Sequence, residues 1–257
     1  MTLQRFTLIT GASSGIGADL ARVAARNRRD LILVARSEDR LQSLAEELSS
    51  EHTVDVVVVP ADLGTPDGAR EAWAKASDGR KINFLMNNAG LGGYGEFATS
   101  DWAREKQSID VNITALTELS KLAVPHMIEQ GEGRILNVAS VAAFVPGPNM
   151  AVYHATKAYV LSLSVALSEE LKGTGVTVTA LCPGVTRSNF QNDAGMMNLK
   201  VMQGNIPTSM SVAEVGYGAA MGGRAIATPG PMNNVVGLLS NLLPRQVLAK
   251  LTRKAFN

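Results

Sequence analysis

Tyr153, Lys157 and Ser140 are the residues whose types and spacing best suit proton transfer at a carbonyl oxygen. A phenol and an ammonium four residues apart on one helix share a face one turn apart, so the cation can favour the ionised phenol. Ser140, thirteen residues before Tyr153, adds a hydroxyl able to meet the same oxygen. Free tyrosine is a poor acid at neutral pH. Bringing its pKa from about 10 to near 7 takes roughly 4 kcal/mol of differential stabilisation, within reach of a neighbouring ammonium joined by a second positive group in a dry pocket. The spacing alone also suits an exposed helical pair, so the surrounding elements decide.

Leu3 to Thr10 reads as a buried strand and runs into Thr10-Gly11-Ala12-Ser13-Ser14-Gly15-Ile16-Gly17, after which Ala18 to Asn27 is helix-forming. In a strand, glycine turn and helix of this kind, Gly11 permits the sharp exit and Gly15 lets backbone approach a pyrophosphate. Gly17 lets the helix lie close on the sheet, and the helix N-terminus offers unpaired N–H groups and a positive dipole end to phosphates. The spacing differs from the standard dinucleotide fingerprint, and such glycines also serve as plain tight corners.

TGASSGIG at 10–17, NNAG at 87–90, Asn112, Ser140, YHATK at 153–157 and PG at 183–184 stand in an order that resembles the short-chain dehydrogenase/reductase superfamily, in its single-domain branch. The resemblance runs from the first strand to about residue 230. It implies a nicotinamide-dependent oxidoreductase in which Asn112, Ser140, Tyr153 and Lys157 match the catalytic tetrad.

Composition adds its own bounds. At 257 residues, the chain is long enough for one large α/β domain with a full core. Its 24 basic residues are offset by 23 acidic ones and only 5% of residues are aromatic, which argues against a nucleic-acid groove. A lone cysteine, Cys182, excludes an internal disulfide framework. The start MTLQRFTLIT shows no signal-peptide pattern, and no apolar run reaches the length of a spanning helix, so a cytoplasmic protein is expected.

Strands are expected near 3–10, 30–35, 54–60, 81–86, 133–139 and 175–181, with a short seventh near Ala225 to Thr228. VDVVVVP and NFLMNN are apolar without alternation, as suits parallel strands covered on both faces. The prediction is a Rossmann-like α/β fold, a doubly wound parallel sheet with ligands at the carboxyl ends of its strands.

The second strand, LILVAR, ends in Arg36, where an acidic residue would hold the ribose hydroxyls of NAD. A guanidinium there suits the 2′-phosphate of NADP, with Ser13 or Ser14 adding a hydroxyl, so NADP is preferred over NAD. The alternative is a solvated arginine at a helix start. The glycine turn itself carries no second basic residue. By resemblance Asp62 and Leu63 contact adenine, Asn88, Ala89 and Gly90 lie beneath the cofactor, and Pro183, Gly184, Val185 and Thr186 meet the nicotinamide amide. Asn88 also suits a simple turn. The family further implies that Tyr153 protonates the substrate oxygen and that Ser140 hydrogen-bonds it. Lys157 would acidify Tyr153 and bind the nicotinamide ribose, while Asn112 would hold a relay water. His154, on a different helical face from Tyr153, reads as structural. No metal is expected.

A lid is expected over about 188–210, where Met196, Met197, Leu199, Val201 and Met202 favour an apolar substrate or merely pack the lid. Residues 92–95 and 142–145 would form the other walls. A basic helix is expected over about 242–256, with Arg245, Lys250, Arg253 and Lys254 between apolar positions; it would meet a membrane surface, another subunit or solvent. The resemblance implies a homodimer or homotetramer, with Ala155, Ala158 and Ala166 permitting close approach.

The leading reading is therefore an NADP-dependent carbonyl reductase or alcohol dehydrogenase acting on a mostly apolar small molecule. The alternatives are a dinucleotide-binding scaffold without turnover, and the superfamily's epimerase and dehydratase branch, for which too little chain follows residue 190.

Overall fold

Strands buried on both faces need apolar side chains on both, and the sheet shows that arrangement. The computed structural model describes residues 5–187, 190, 194–195 and 206–256. Among them β1 (Arg5–Thr10), β2 (Asp30–Ala35), β3 (Val56–Pro60), β4 (Lys81–Asn87), β5 (Gly133–Val138), β6 (Val176–Leu181) and β7 (Ile226–Ala227) form one sheet in the order β3-β2-β1-β4-β5-β6-β7. Every pairing is parallel.

Helices cover the two faces: α1 (Gly15–Arg26), α2 (Glu38–His52), α3 (Gly68–Ser77), α4 (Trp102–Ile109), α5 (Leu116–Glu129), α6 (Ala151–Glu170) and α7 (Ser209–Met221). Ile9, Leu31, Leu33 and Met86 pack toward α1, α2 and α7. Their strand neighbours Leu8, Ile32, Val34 and Leu85 pack toward α3 and α5. Successive strand residues point to opposite faces, so each apolar run fills both cores at once.

The chain runs outward from β1 through β2 to β3, then returns to add β4 on the other side of β1. The switch leaves a crevice beyond the carboxyl ends of β1 and β4, where the glycine turn and Asn88–Gly90 emerge. Between α4 and α5 one π turn, Asp110–Ala115, carries Asn112. Such widened turns gather at functional sites.

The C-terminal region holds a helix over the span where the basic helix was expected, about 242–256, and one more before it. In chain order the two are α8 (Pro231–Leu242) and α9 (Arg245–Phe256). Pro231 opens α8 at a position where a missing N–H costs nothing, and extended Leu243 followed by Pro244 breaks the continuity. The expected lid begins where Arg187 bridges Thr208, and Arg187 N–H donates to the Pro207 carbonyl at 2.9 Å. Met196, Met197, Leu199, Val201 and Met202 lie outside the described residues.

Candidate active site

Of the residues expected to hold a cofactor or act in catalysis, all but Gly17 and Asn112 line one cavity of about 1070 Å³. Those two hold it from behind. A Cβ on Gly17 would collide with the Gly11 carbonyl and the Asn88 amide. Gly11 itself has φ +64°, and a Cβ there would stand 2.9 Å from the Ala89 Cα. The glycine turn is thus pressed against the end of β4.

Thr10 and Asn88 lock that contact. Thr10 Oγ1 accepts from the N–H groups of Asn88 and Ala89, each at 3.0 Å. The Asn88 side-chain amide donates to the carbonyls of Thr10 at 2.9 Å and Gly11 at 3.3 Å. Asn88 therefore spends its donors on the turn, while Ala89 and Gly90 complete the wall.

Asn112 is fully buried on the π turn. Its amide donates to the Leu91 carbonyl and to Thr156 Oγ1, at 2.8 and 2.9 Å, and its oxygen accepts from Leu91 N–H at 2.8 Å. The side chain thus fixes the 90–92 loop to α6.

Ser140, Tyr153 and Lys157 stand together on one wall. Ser140 caps the single turn Val141–Phe144; its Oγ accepts from Ala142 N–H at 3.1 Å and donates weakly to the Pro183 carbonyl at 3.4 Å. Burial pushes the Tyr153 phenol up to about 12, and the Ser140 hydroxyl beside it pulls the other way. Lys157 is buried, and its Nζ donates to the Val138 carbonyl at 2.8 Å. Desolvation brings that ammonium down to about 8. The expected acidification of Tyr153 is absent from the protein's own groups, because burial opposes charge on both partners. The Tyr153 shift alone adds roughly 3 kcal/mol to what a cationic partner must supply.

His154 also lines the cavity, and its ring packs against Gly147. Its Nδ1 lies 2.7 Å from the Val145 carbonyl; since a carbonyl only accepts, that nitrogen carries the proton. The ring pins the segment after Ser140 to α6. Of the expected walls, Gly92, Ala142 and Val145 reach the cavity. Phe190 falls within the segment expected as a lid, though not singled out there, and its ring lies 5.4 Å from that of Tyr153.

At the far end Ser14, the N-cap of α1, makes no side-chain capping bond, and no acid stands in the first turn. Ser14, Gly15 and Ile16 line the cavity there. An uncapped N-terminus of a 12-residue helix, open to a cleft, suits phosphate. Exposed Arg36 is joined by Arg40 one turn into α2. Sequence reasoning sought a second basic residue inside the glycine turn and missed Arg40, although its spacing of four from Arg36 was a usable signal. These groups fit a phosphorylated dinucleotide: donors and cations at one end, a phenol, a hydroxyl and an ammonium at the other.

Comparison with known proteins agrees. A sulfoacetaldehyde reductase from Chromohalobacter salexigens is 38% identical over 188 residues, covering 71% of this chain and 72% of that protein. A short-chain dehydrogenase from Sphingobium yanoikuyae, solved in complex with NADPH, superposes with a TM-score of 0.83 at 33% identity, covering 93% of this chain and 95% of that one. A bulky-bulky ketone specific alcohol dehydrogenase from Comamonas testosteroni gives 0.79 at 30% identity, with 94% of each chain covered. Residues 5–198 match the family model for short chain dehydrogenase. The chain belongs to the short-chain dehydrogenase/reductase superfamily and is an NAD(P)-dependent oxidoreductase of that family acting on alcohol or ketone groups.

Proposed function

We propose that this protein is an NADP(H)-dependent oxidoreductase that moves a hydride between the nicotinamide and the carbonyl or secondary alcohol of a mostly apolar substrate. Tyr153 is its general acid and base. The observation that carries the reading is one cavity with Ser140, Tyr153 and Lys157 at one end and an uncapped helix with two guanidiniums at the other.

The dinucleotide, when bound, supplies the hydride and, once oxidised, a positive ring near the phenol. Gly11, Ser13, Ser14, Gly15 and Ile16 hold its phosphates, while Arg36 and Arg40 hold the 2′-phosphate that separates NADP from NAD. Asp62, Leu63, Ala89 and Gly90 shape the adenosine side, and Pro183, Gly184, Val185 and Thr186 the nicotinamide side. Tyr153 gives its proton to the carbonyl oxygen, and because burial raises its pKa, that step draws on a cationic partner to favour the phenolate left behind. Ser140 exchanges its long bond to Pro183 for one to the same oxygen. Lys157 keeps two donors beyond its bond to Val138, enough to hold a ribose. Met150, Val145 and Phe190 make the reacting end apolar. That suits ketones of the bulky kind for which the Comamonas alcohol dehydrogenase is specific. Ala155 and Ala166 are exposed on α6 and support a homodimer or homotetramer formed along that helix.

Titration with NADPH and NADH, followed by turnover on panels of ketones and alcohols, tests the reading. NADPH should bind more tightly and apolar ketones should be reduced. Tighter NADH binding removes the role given to Arg36, and cofactor binding with no turnover on any panel returns the protein to a dinucleotide-binding scaffold.

A further inference from the structure

The two C-terminal helices do more than wall the cavity. On α8, Val236 and Leu239 face inward. Val235 and Leu238, each one residue earlier, turn about 100° away along the helix, and Leu242 continues their row. This outer stripe is bare: Leu238 is 63% exposed, Leu242 70%, and Met232 at the start of the helix 72%. On α9, Leu248, Leu251 and Ala255 line the cavity, while Arg245, Lys250, Arg253 and Lys254 are exposed. None of these four forms an ion pair among the described residues.

Charge is segregated in the same place. The last 43 residues hold five of the chain's 24 lysines and arginines and none of its 23 acids. A bare apolar stripe on one helix and unpaired cations on the next match the two layers of an anionic bilayer surface, acyl chains for the leucines and headgroup phosphates for the cations. A second copy pairing through this face would set like charges against each other.

We propose that α8 and α9 dock the protein on anionic phospholipid bilayers, with Leu238 and Leu242 entering the interface and Lys250, Arg253 and Lys254 on the headgroups. The cavity that these two helices wall then lies next to the lipid surface. An apolar carbonyl dissolved in the bilayer is the substrate this arrangement serves; that corollary rests on the function proposed above, whereas the docking does not.

Co-sedimentation of the full chain with phosphatidylcholine vesicles, with and without phosphatidylglycerol, tests it. Binding should be at least about tenfold stronger to the anionic vesicles and fall with added salt. Leu238→Glu with Leu242→Glu, and separately Lys250→Glu with Arg253→Glu and Lys254→Glu, should each lower it at least about tenfold. NADPH affinity should stay unchanged in both. Protein left in the supernatant with anionic vesicles overturns the proposal, as does equal binding to phosphatidylcholine alone. A wild type that ignores vesicles but loses an oligomer, by light scattering, in the leucine variant assigns the stripe to a second copy. Vesicle binding without carbonyl turnover leaves the docking standing and removes the reductase reading; the reverse result does the opposite.

Discussion

Lys157 lies beneath Tyr153 without hydrogen-bonding its oxygen: Nζ is 5.8 Å from the ring centroid and donates to the Val138 carbonyl. Burial moves the two groups in opposite directions, the phenol up to about 12 and the ammonium down to about 8. Each is driven toward its neutral form. The site without its dinucleotide therefore holds an acid in reserve, and ionising Tyr153 waits for a further cation.

Tyr153→Phe removes the hydroxyl proposed as the proton donor and keeps the ring that packs on Phe190. We expect kcat to fall about 10²–10⁴-fold, the span of one general acid. NADPH affinity should stay within about twofold, because the glycine turn and the arginines proposed to hold the phosphates are untouched. Steady-state kinetics beside a fluorescence titration would separate the two, and wild-type turnover in the variant would remove Tyr153 as the acid.

Lys157 makes the ligand-free protein sensitive to pH. Its folded pKa of about 8 lies below the ordinary value of 10.5, so from about pH 8 upward the unfolded chain binds more protons and stability rises with pH. Cys182 and Tyr153, both raised by burial to about 12, act oppositely from their ordinary values of 9.0 and 10.0. Between pH 8 and 9 Tyr153 contributes little, while Cys182 offsets a growing part of the rise as pH nears 9. Urea unfolding should show the wild type gaining up to roughly 1 kcal/mol across that window. Lys157→Met should lose that rise and be more stable at pH 7, since a buried charge is gone. A slope unchanged by the substitution would place the titration elsewhere.

Arg36 and Arg40 rise from the end of β2 and the first turn of α2 with no acid paired to either among the described residues. Charge-assisted bonds of this kind contribute about 1.5–3 kcal/mol each. Arg36→Ala should weaken NADPH binding by more than tenfold, and the Arg36→Ala, Arg40→Ala pair further. NADH binding should change little. Parallel losses for both cofactors would mean that the arginines shape the site without reading the 2′-phosphate.

The sheet was legible because its strands are apolar on both faces, a pattern that VVVV and FLM show without any partner in view. The glycine turn was legible because Gly11 and Gly17 meet constraints no other residue meets. Less of the site could be read where function depends on packing across the chain. Phe190 reaches Tyr153 across a sequence separation of 37, and nothing in its local pattern marks the contact. The strand-and-turn signals likewise left Pro231–Leu242 unassigned: its apolar residues extend round the helix into both the cavity face and the exposed stripe, which blurs the period. The Tyr153 and Lys157 shifts were beyond reach because spacing gives proximity and not burial.

Gly92 offers a test of how tightly that packing sets the reaction. A Cβ there would stand 2.8 Å from Phe190 Cζ and 2.9 Å from Tyr153 Cδ2, so alanine must displace one ring or both. A reacting group misplaced by about an ångström can cost about a hundredfold in rate. We expect Gly92→Ala to lower kcat about 10–100-fold with little change in NADPH affinity, since the proposed phosphate site is at the other end of the cavity. Phe190→Leu should make room for the new methyl, and the double variant should recover part of the lost rate, a coupling that a double-mutant cycle reads directly. Strictly additive effects would mean that Tyr153 is placed by α6 alone and that Phe190 merely lies alongside it.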